Sequence, residues 1–128
     1  MEAISSSLNE RLSLGKVILI DGATGTDIER RGVPMVEHAW CGVSALTHGH
    51  DVRAVHRAHI DAGAELVIAN TYASSRHLLA RAGHEESFEE INRAAVELAI
   101  QARTDAGRPD VLVAGSMSTT RQGGPYAD

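Results

Sequence analysis

Three short, unbroken apolar runs limit what this chain can fold into: "KVILID" (16–21), "ELVIANT" (65–71) and "DVLVAGS" (110–116). A strand with one wet face alternates apolar and polar residues. A continuous run of Val, Ile and Leu suits a strand covered on both faces. Helical segments separate the runs. "DVRAVHRAHIDAG" (51–63) places Val52, Val55, Ala58 or His59, and Ala62 at helical spacing, with Asp51 as N-cap and Gly63 as stop. "SSRHLLARAG" (74–83) reads as a short helix between serine caps and a glycine. "SFEEINRAAVELAIQARTDAG" (87–107) carries Ile91, Ala94, Ala95, Leu98 and Ala102 on one stripe and opens on a Ser-x-x-Glu capping box, Ser87 and Glu90. The charged segment after the first run suits a further short helix. Strand, helix, strand, helices, strand implies parallel pairing with right-handed crossovers, hence an α/β fold.

Two α/β architectures fit, a doubly wound sheet or part of a (β/α)8 barrel. Three strands make a poor open sheet, since both edges would be apolar and unprotected. A full barrel takes about 250 residues, and this chain has 128. The expectation is therefore one partial domain, 1–128: a helical lead-in over 1–15, then the first βα units of an incomplete barrel with about three parallel strands. The chain would be the N-terminal part of something larger: a truncated chain, a fragmentary gene product, or a half-barrel completed by assembly.

The net charge of −5 argues against a sequence-independent nucleic-acid binder, which needs a basic face. No apolar run approaches the roughly 18 residues that a membrane span requires. The opening "MEAISSSLNERLS" lacks the basic and apolar regions of a secretion signal, so a cytoplasmic location is expected. Cys41 is the single cysteine, which rules out an internal disulfide and a cysteine-cluster metal site. Trp40, Tyr72, Phe88 and Tyr126 are all the aromatics, so the core must be built from Val, Ile, Leu and Ala.

Each apolar run delivers polar residues at its end. The first gives Asp21, Gly22, Thr24, Gly25 and Thr26. The second gives Asn70, Thr71 and Tyr72, then Ser74 and Ser75. The third gives Gly115, Ser116, Ser118, Thr119 and Thr120. In parallel α/β folds the carboxyl edge of the strands carries the site. Asp, Gly, Ser and Thr are also ordinary turn and capping residues, and any one cluster has that reading too. "DGATGT" is neither a phosphate loop, lacking the lysine, nor a dinucleotide fingerprint, having only G-x-x-G. His48, His50, His56 and His59 fall within twelve residues, and His56 and His59 share a helix face; no acidic or histidine-rich segment obviously completes a metal site with them. Trp40, in the loop after the first run, is core filler or a lid over a small ligand.

"ILIDGATGTDIERRG", Trp40, "DVRAVHRAHIDAGAELVIANTYASSRHLLARAG", "INRAAVELAIQA" and "VLVAGSMS" together resemble the N-terminal part of the homocysteine S-methyltransferase family. The resemblance runs from about residue 15 to about residue 120. It implies a (β/α)8 barrel and transfer of a methyl group from a small donor to the homocysteine thiol, giving methionine. It implies a zinc ion that binds that thiol and favours the thiolate. Asp21 matches the family aspartate that meets the amino group of homocysteine. Gly22, Ala23, Thr24, Gly25 and Thr26 match the turn around the amino-acid end. Tyr72 and Trp40 match aromatics on the methyl-donor side, where a ring face suits a quaternary ammonium or sulfonium. Asn70, Thr71 and Ser116 join the candidate set from the strand ends.

The same resemblance places the three zinc-binding cysteines, and a further acidic homocysteine-binding residue, beyond residue 128. Cys41 corresponds to none of them. The expected partners are homocysteine and a methyl donor, with no nucleic acid and no membrane. The chain is expected to hold no metal, to contain no catalytic residue and to be inactive alone. The alternative is a non-catalytic half-barrel whose copies cover each other's open strand edges. A third reading is another barrel enzyme with the same front half.

Overall fold

The computed structural model describes residues 2–117, with side chains from Ser7 onward. Ser118, Thr119, Thr120 and Tyr126 lie outside the described residues. The order is α1 (Glu2–Ser13), α2 (Thr24–Arg30), α3 (Ser44–Thr47), α4 (Gly49–Asp61), β1 (Leu66–Ile68), α5 (Arg76–Arg81), a 3-10 turn (Glu85–Ser87), α6 (Phe88–Asp105) and β2 (Leu112–Ala114). No helix among the described residues is long and apolar enough to cross a membrane.

β1 and β2 pair in parallel, with Leu66 opposite Leu112, Val67 opposite Val113 and Ile68 opposite Ala114. The α5–α6 segment makes the crossover between them. This is the α/β pattern the apolar runs imply, in a small parallel sheet.

The first run departs from expectation. Residues 16–21 form no strand buried on both faces, only an extended segment with a parallel bridge between Ile20 and Leu66. The Leu19 carbonyl accepts the N–H groups of Glu65 (2.8 Å) and Leu66 (3.2 Å), and the Asp21 N–H donates to the Leu66 carbonyl (3.0 Å). Val17 is 80% exposed and Ile20 60%. The segment is an edge: it bonds β1 on one side, and its apolar side chains have few described atoms to pack on.

The core lies between the sheet and the helices. Ile60 and Ala64 from the end of α4, Val67 and Ala69 from β1, and Ala99 and Ala102 from α6 form one cluster with Val111. Alanine on the inner face of α6 lets α4 come close, and Gly49 completes that approach beside Leu98. A second cluster joins Ile28 of α2 to Val33, Cys41, Val52 and Val55. A third joins Ala39, Val43, Leu79 and Ile91. Across the outer face Arg53 grips Asp105 with two nitrogens and also reaches Gln101. At the other end of the sheet Glu65 accepts both Arg11 from α1 and the Leu19 N–H (3.0 Å), which ties the lead-in helix to the strand bases.

The helix boundaries follow backbone chemistry more than side-chain caps. Gly63 and Gly107 follow α4 and α6 with φ of 109° and 62°, the left-handed stop that glycine adopts freely. The expected caps do not form. α4 starts two residues before Asp51, which sits in its first turn and accepts Arg31 Nε at 2.9 Å. Ser87 makes no capping bond because α6 is entered from the 3-10 turn, which gives Ser87 a near-helical backbone (φ −92°, ψ 9°) in place of the extended cap geometry. Ser75 has extended geometry, but its hydroxyl meets His77 Nδ1 (3.2 Å).

Ile60 is buried where α4, α6 and β1 meet. Ile60→Ala is expected to lower the unfolding free energy by about 2–5 kcal/mol, through lost transfer energy and a residual cavity. A urea transition at unchanged slope checks this.

Candidate functional site

Asp21 leaves the extended first segment beside β1. Its Oδ2 accepts the Ile68 N–H at 2.8 Å, while Oδ1 is buried with no partner. The residue is 9% exposed. Burial pushes its carboxyl above the usual aspartate range; the Ile68 N–H, then His59, then the Thr24 hydroxyl pull the other way. A carboxylate with one oxygen fixed by backbone and the other uncommitted can pair with a cation once the atoms over it shift.

The turn after Asp21 becomes α2 at Thr24, whose N–H bonds the Gly22 carbonyl at 2.8 Å. Gly22 has open space where a side chain would stand, and Gly22 and Ala23 are exposed. Gly25 differs. A methyl group there would collide with the Trp40 ring and lie 3.0 Å from Cys41 Sγ. Trp40 thus rests against the backbone of the "DGATGT" turn, 39% exposed. It is held by a tight reversal in which the Val36 N–H donates to the Trp40 carbonyl at 2.8 Å. His38 (φ 68°) and Trp40 (φ 43°) both occupy the left-handed region. That conformation costs a non-glycine residue about 1–2 kcal/mol, so the ring is held in place against a local backbone preference.

Asn70 is buried and fully occupied. Its amide donates to the Cys41 carbonyl (2.9 Å) and to Ser44 Oγ (3.2 Å), and its Oδ1 accepts Cys41 Sγ–H at 3.2 Å. Thr71 is equally committed: its hydroxyl donates to the Ser116 carbonyl and accepts the Ser116 N–H, both at 2.8 Å. Ser116 is half-buried through these backbone bonds, Thr26 is half-buried in α2, and Tyr72 is exposed.

Gly25, Trp40, Asn70, Thr71 and Ser116 are therefore brought together as a chain along the carboxyl edge, while Asp21 bonds β1 at Ile68 and Gly22, Ala23 and Tyr72 are exposed. Gly25 touches Trp40 and Cys41, Cys41 bonds Asn70, and Thr71 bonds Ser116. Sequence reading missed Ser44 and Asn92. Asn92 donates to the Ser74 carbonyl (2.9 Å) and accepts the Ser74 hydroxyl (2.7 Å), which ties the loop after β1 to α6. Its signal was a polar residue inside the apolar stripe of that helix. Thr71, Ser74, Asn92 and Ser116 line a cavity of about 230 Å³ at this edge. Larger concavities, among them about 580 Å³ between α4 and α6 and about 670 Å³ on α5, are lined by none of these four residues.

The histidines separate. His50 is exposed, and His48 meets Thr47 Oγ1 at 2.9 Å. His56 is wholly buried with neither ring nitrogen paired, and its pKa is pushed down to about 4, by burial first and then by His59. His59 Nε2 lies 3.5 Å from Asp27 Oδ2. Among the described residues no three His, Cys, Asp or Glu side chains are grouped to hold a metal. The Cys41 thiol is pushed up to about 11 by burial and is no ready thiolate.

The fold is a small parallel α/β arrangement with its polar residues gathered at the strand carboxyl ends, the edge that carries the site in folds of this class. The family model described as Homocysteine S-methyltransferase matches residues 18–127, and the chain belongs to that family. Betaine–homocysteine S-methyltransferase 1 of Danio rerio is 35% identical over 113 residues, covering 87% of this chain and 27% of its own length. Selenocysteine Se-methyltransferase of Brassica oleracea is 30% identical over 91 residues, covering 70% of this chain and 26% of its own length. Among solved structures, the homocysteine methyltransferase MmuM of Escherichia coli, in metallated form, superposes with a TM-score of 0.71 at 31% identity, covering 91% of this chain and 41% of that one. The chain thus spans about a quarter of the length of these two curated relatives.

Two outcomes follow from this geometry. His56 is neutral in the fold, with its pKa at about 4, but free to charge near 6.5 when unfolded. Stability is therefore full above the unfolded pKa and is lost as pH falls from about 6.5 toward 4, by about 3 kcal/mol in all. Urea midpoints at pH 7.5 and 4.5 should show a smaller acid loss in His56→Leu than in the parent. Gly25→Ala should displace the single tryptophan and change its emission maximum; an unchanged spectrum would mean the ring does not rest on Gly25.

Proposed function

We propose that this chain forms the amino-acid-binding side of a homocysteine S-methyltransferase, in which a small donor's methyl group passes to the homocysteine thiol to give methionine. On this reading residues 1–128 are one partial domain, the first βα units of a (β/α)8 barrel. The single observation that carries it is Asp21, a buried carboxylate pinned by the Ile68 N–H with its second oxygen uncommitted. The relatives' names support it. Homocysteine and selenocysteine differ in chain length and chalcogen but share the α-amino acid end that a carboxylate recognises.

In this role Asp21 takes the substrate ammonium, and the exposed backbone of Gly22 and Ala23 lies along the amino-acid end. Trp40 and Tyr72 offer ring faces to a cationic donor. Asn70, Thr71 and Ser116 act by holding the strand ends in register, since their described bonds are spent on the protein. Holding acceptor and donor in line is most of the protein's work in such a displacement.

The zinc expected from the family resemblance does not fit the described residues, which offer no three-ligand group and only a buried, protonated Cys41 thiol. The 128-residue chain by itself is proposed to bind without turning over.

Calorimetry with homocysteine tests the reading. Asp21→Ala should weaken binding roughly 10- to 100-fold, the worth of a charge-assisted hydrogen bond. Equal binding by both proteins removes Asp21 from the site, and methionine formed by the pure chain overturns the proposed inactivity. A second reading, self-association through the exposed Val17, Leu19 and Ile20, is favoured by their exposure along one edge. A monomeric mass in solution counts against it.

A further inference from the structure

We propose that the cavity at the carboxyl edge is a subsite for a small carboxylic acid, in which Arg76, braced over the Phe88 ring, takes the carboxylate. The subsite rests on the functional reading above only for whose carboxylate enters it, the acceptor's or the donor's.

The cavity of about 230 Å³ lies where the loop after β1 meets the end of β2 and the start of α6, and Arg76 of α5 lines it. Its hydroxyl and amide groups are spent. Thr71 exchanges two bonds with the Ser116 backbone, Ser74 and Asn92 bond each other, and Ser75 meets His77. Phe88 and Met117 add apolar wall. What the described lining still has to offer is the guanidinium. At about 30 Å³ per liquid water, the volume holds roughly seven water-sized groups, about the size of a small amino acid or organic acid.

Arg76 is held in a way that leaves it free to bind. Its guanidinium carbon stands 4.4 Å from the centroid of the Phe88 ring. Such a contact uses the flat face of the group and none of its N–H donors. The ion pairs among the described residues engage Arg11, Arg30, Arg31, Arg53, Arg57 and Arg108, and not Arg76. The N–H fork of an arginine fits a carboxylate with two parallel bonds. Glu85, Glu86 and Glu89 share with Arg76 and Phe88 a separate concavity of about 280 Å³. Their charge weighs against a multiply charged anion. The ligand that fits is a singly charged acid whose body packs on Phe88 and Met117.

The probes are isovalerate and isovaleramide, which share an apolar body and differ in charge. NMR follows the Arg76 Nε–H and Met117 methyl signals of the 128-residue protein during titration. Both signals should shift and saturate with the acid, and the amide should bind roughly 10-fold more weakly or worse. Arg76→Gln should lose roughly 10-fold or more in affinity, and Arg76→Lys, which keeps the charge without the fork, should lose less. Arg76 is exposed, and an unchanged urea midpoint shows that the variants fold. No saturable shift with the acid, equal binding of acid and amide, equal binding by parent and Arg76→Gln, or the same shifts from inorganic phosphate overturns the subsite. Homocysteine and trimethylammonioacetate then compete with isovalerate. Displacement by homocysteine assigns the subsite to the acceptor's carboxylate, and displacement by trimethylammonioacetate to a donor's. If isovalerate binds and neither displaces it, the subsite stands and its link to the functional reading falls. If isovalerate binds and homocysteine binds nowhere on the parent, the functional reading falls alone.

Discussion

The structure depends on the hydrogen bonding of β1 on both sides. On one side Leu66 accepts the Asp21 N–H and Glu65 bonds the Leu19 carbonyl; on the other, Leu112 donates to Glu65 and Ala69 to Ala114. The first-segment ladder ends at Ile68, whose N–H turns to the Asp21 carboxylate. A buried N–H without an acceptor is costly. The aspartate side chain serves as that acceptor, and the main chain is then released into the "DGATGT" turn. Holding β1 and presenting a carboxylate at the strand end are thus one arrangement.

Around that strand the loops are fixed by polar clamps in place of regular pairing. Asn70 binds the segment around Cys41, and Thr71 binds Ser116. Asn92 binds Ser74. These bonds are buried or half-buried, where an unpaired partner would be penalised, so they specify loop position more sharply than surface contacts do. The reversal at Val36–Trp40 is the opposite case, a backbone held in a disfavoured conformation with an aromatic ring at its end. Strain of this kind persists only where its surroundings over-determine it, and it gathers at binding sites.

Much of this was legible in the chain. The second and third apolar runs became paired strands, and the three main helices fell within a few residues of their periodic segments. Asp21, Gly25 and Trp40 were singled out, and the fold brings the Trp40 ring onto Gly25. The failures have local causes. The first run was read as buried because its composition matched the other two, but burial depends on neighbours that composition does not contain. Asp51 and Ser87 looked like caps because capping needs only a residue type and a spacing. Whether the bond forms depends on how the chain enters the helix, and a 3-10 turn before α6 removed the geometry. Asn70 and Thr71 looked like ligand groups until their partners, 29 and 45 residues away, were seen to use them.

By itself the sequence determined the parallel α/β order, the placement of polar residues at strand ends and the family. These rest on periodicity, turn chemistry and residue identity, all local along the chain. Only the tertiary structure decided which of those polar residues remain uncommitted. It spent Asn70 and Thr71 on the protein, buried His56 without a partner and set His59 against Asp27. It left Asp21 one oxygen to give. Hydrogen bonds and charges are settled by distances through space, and spacing along a chain does not contain them.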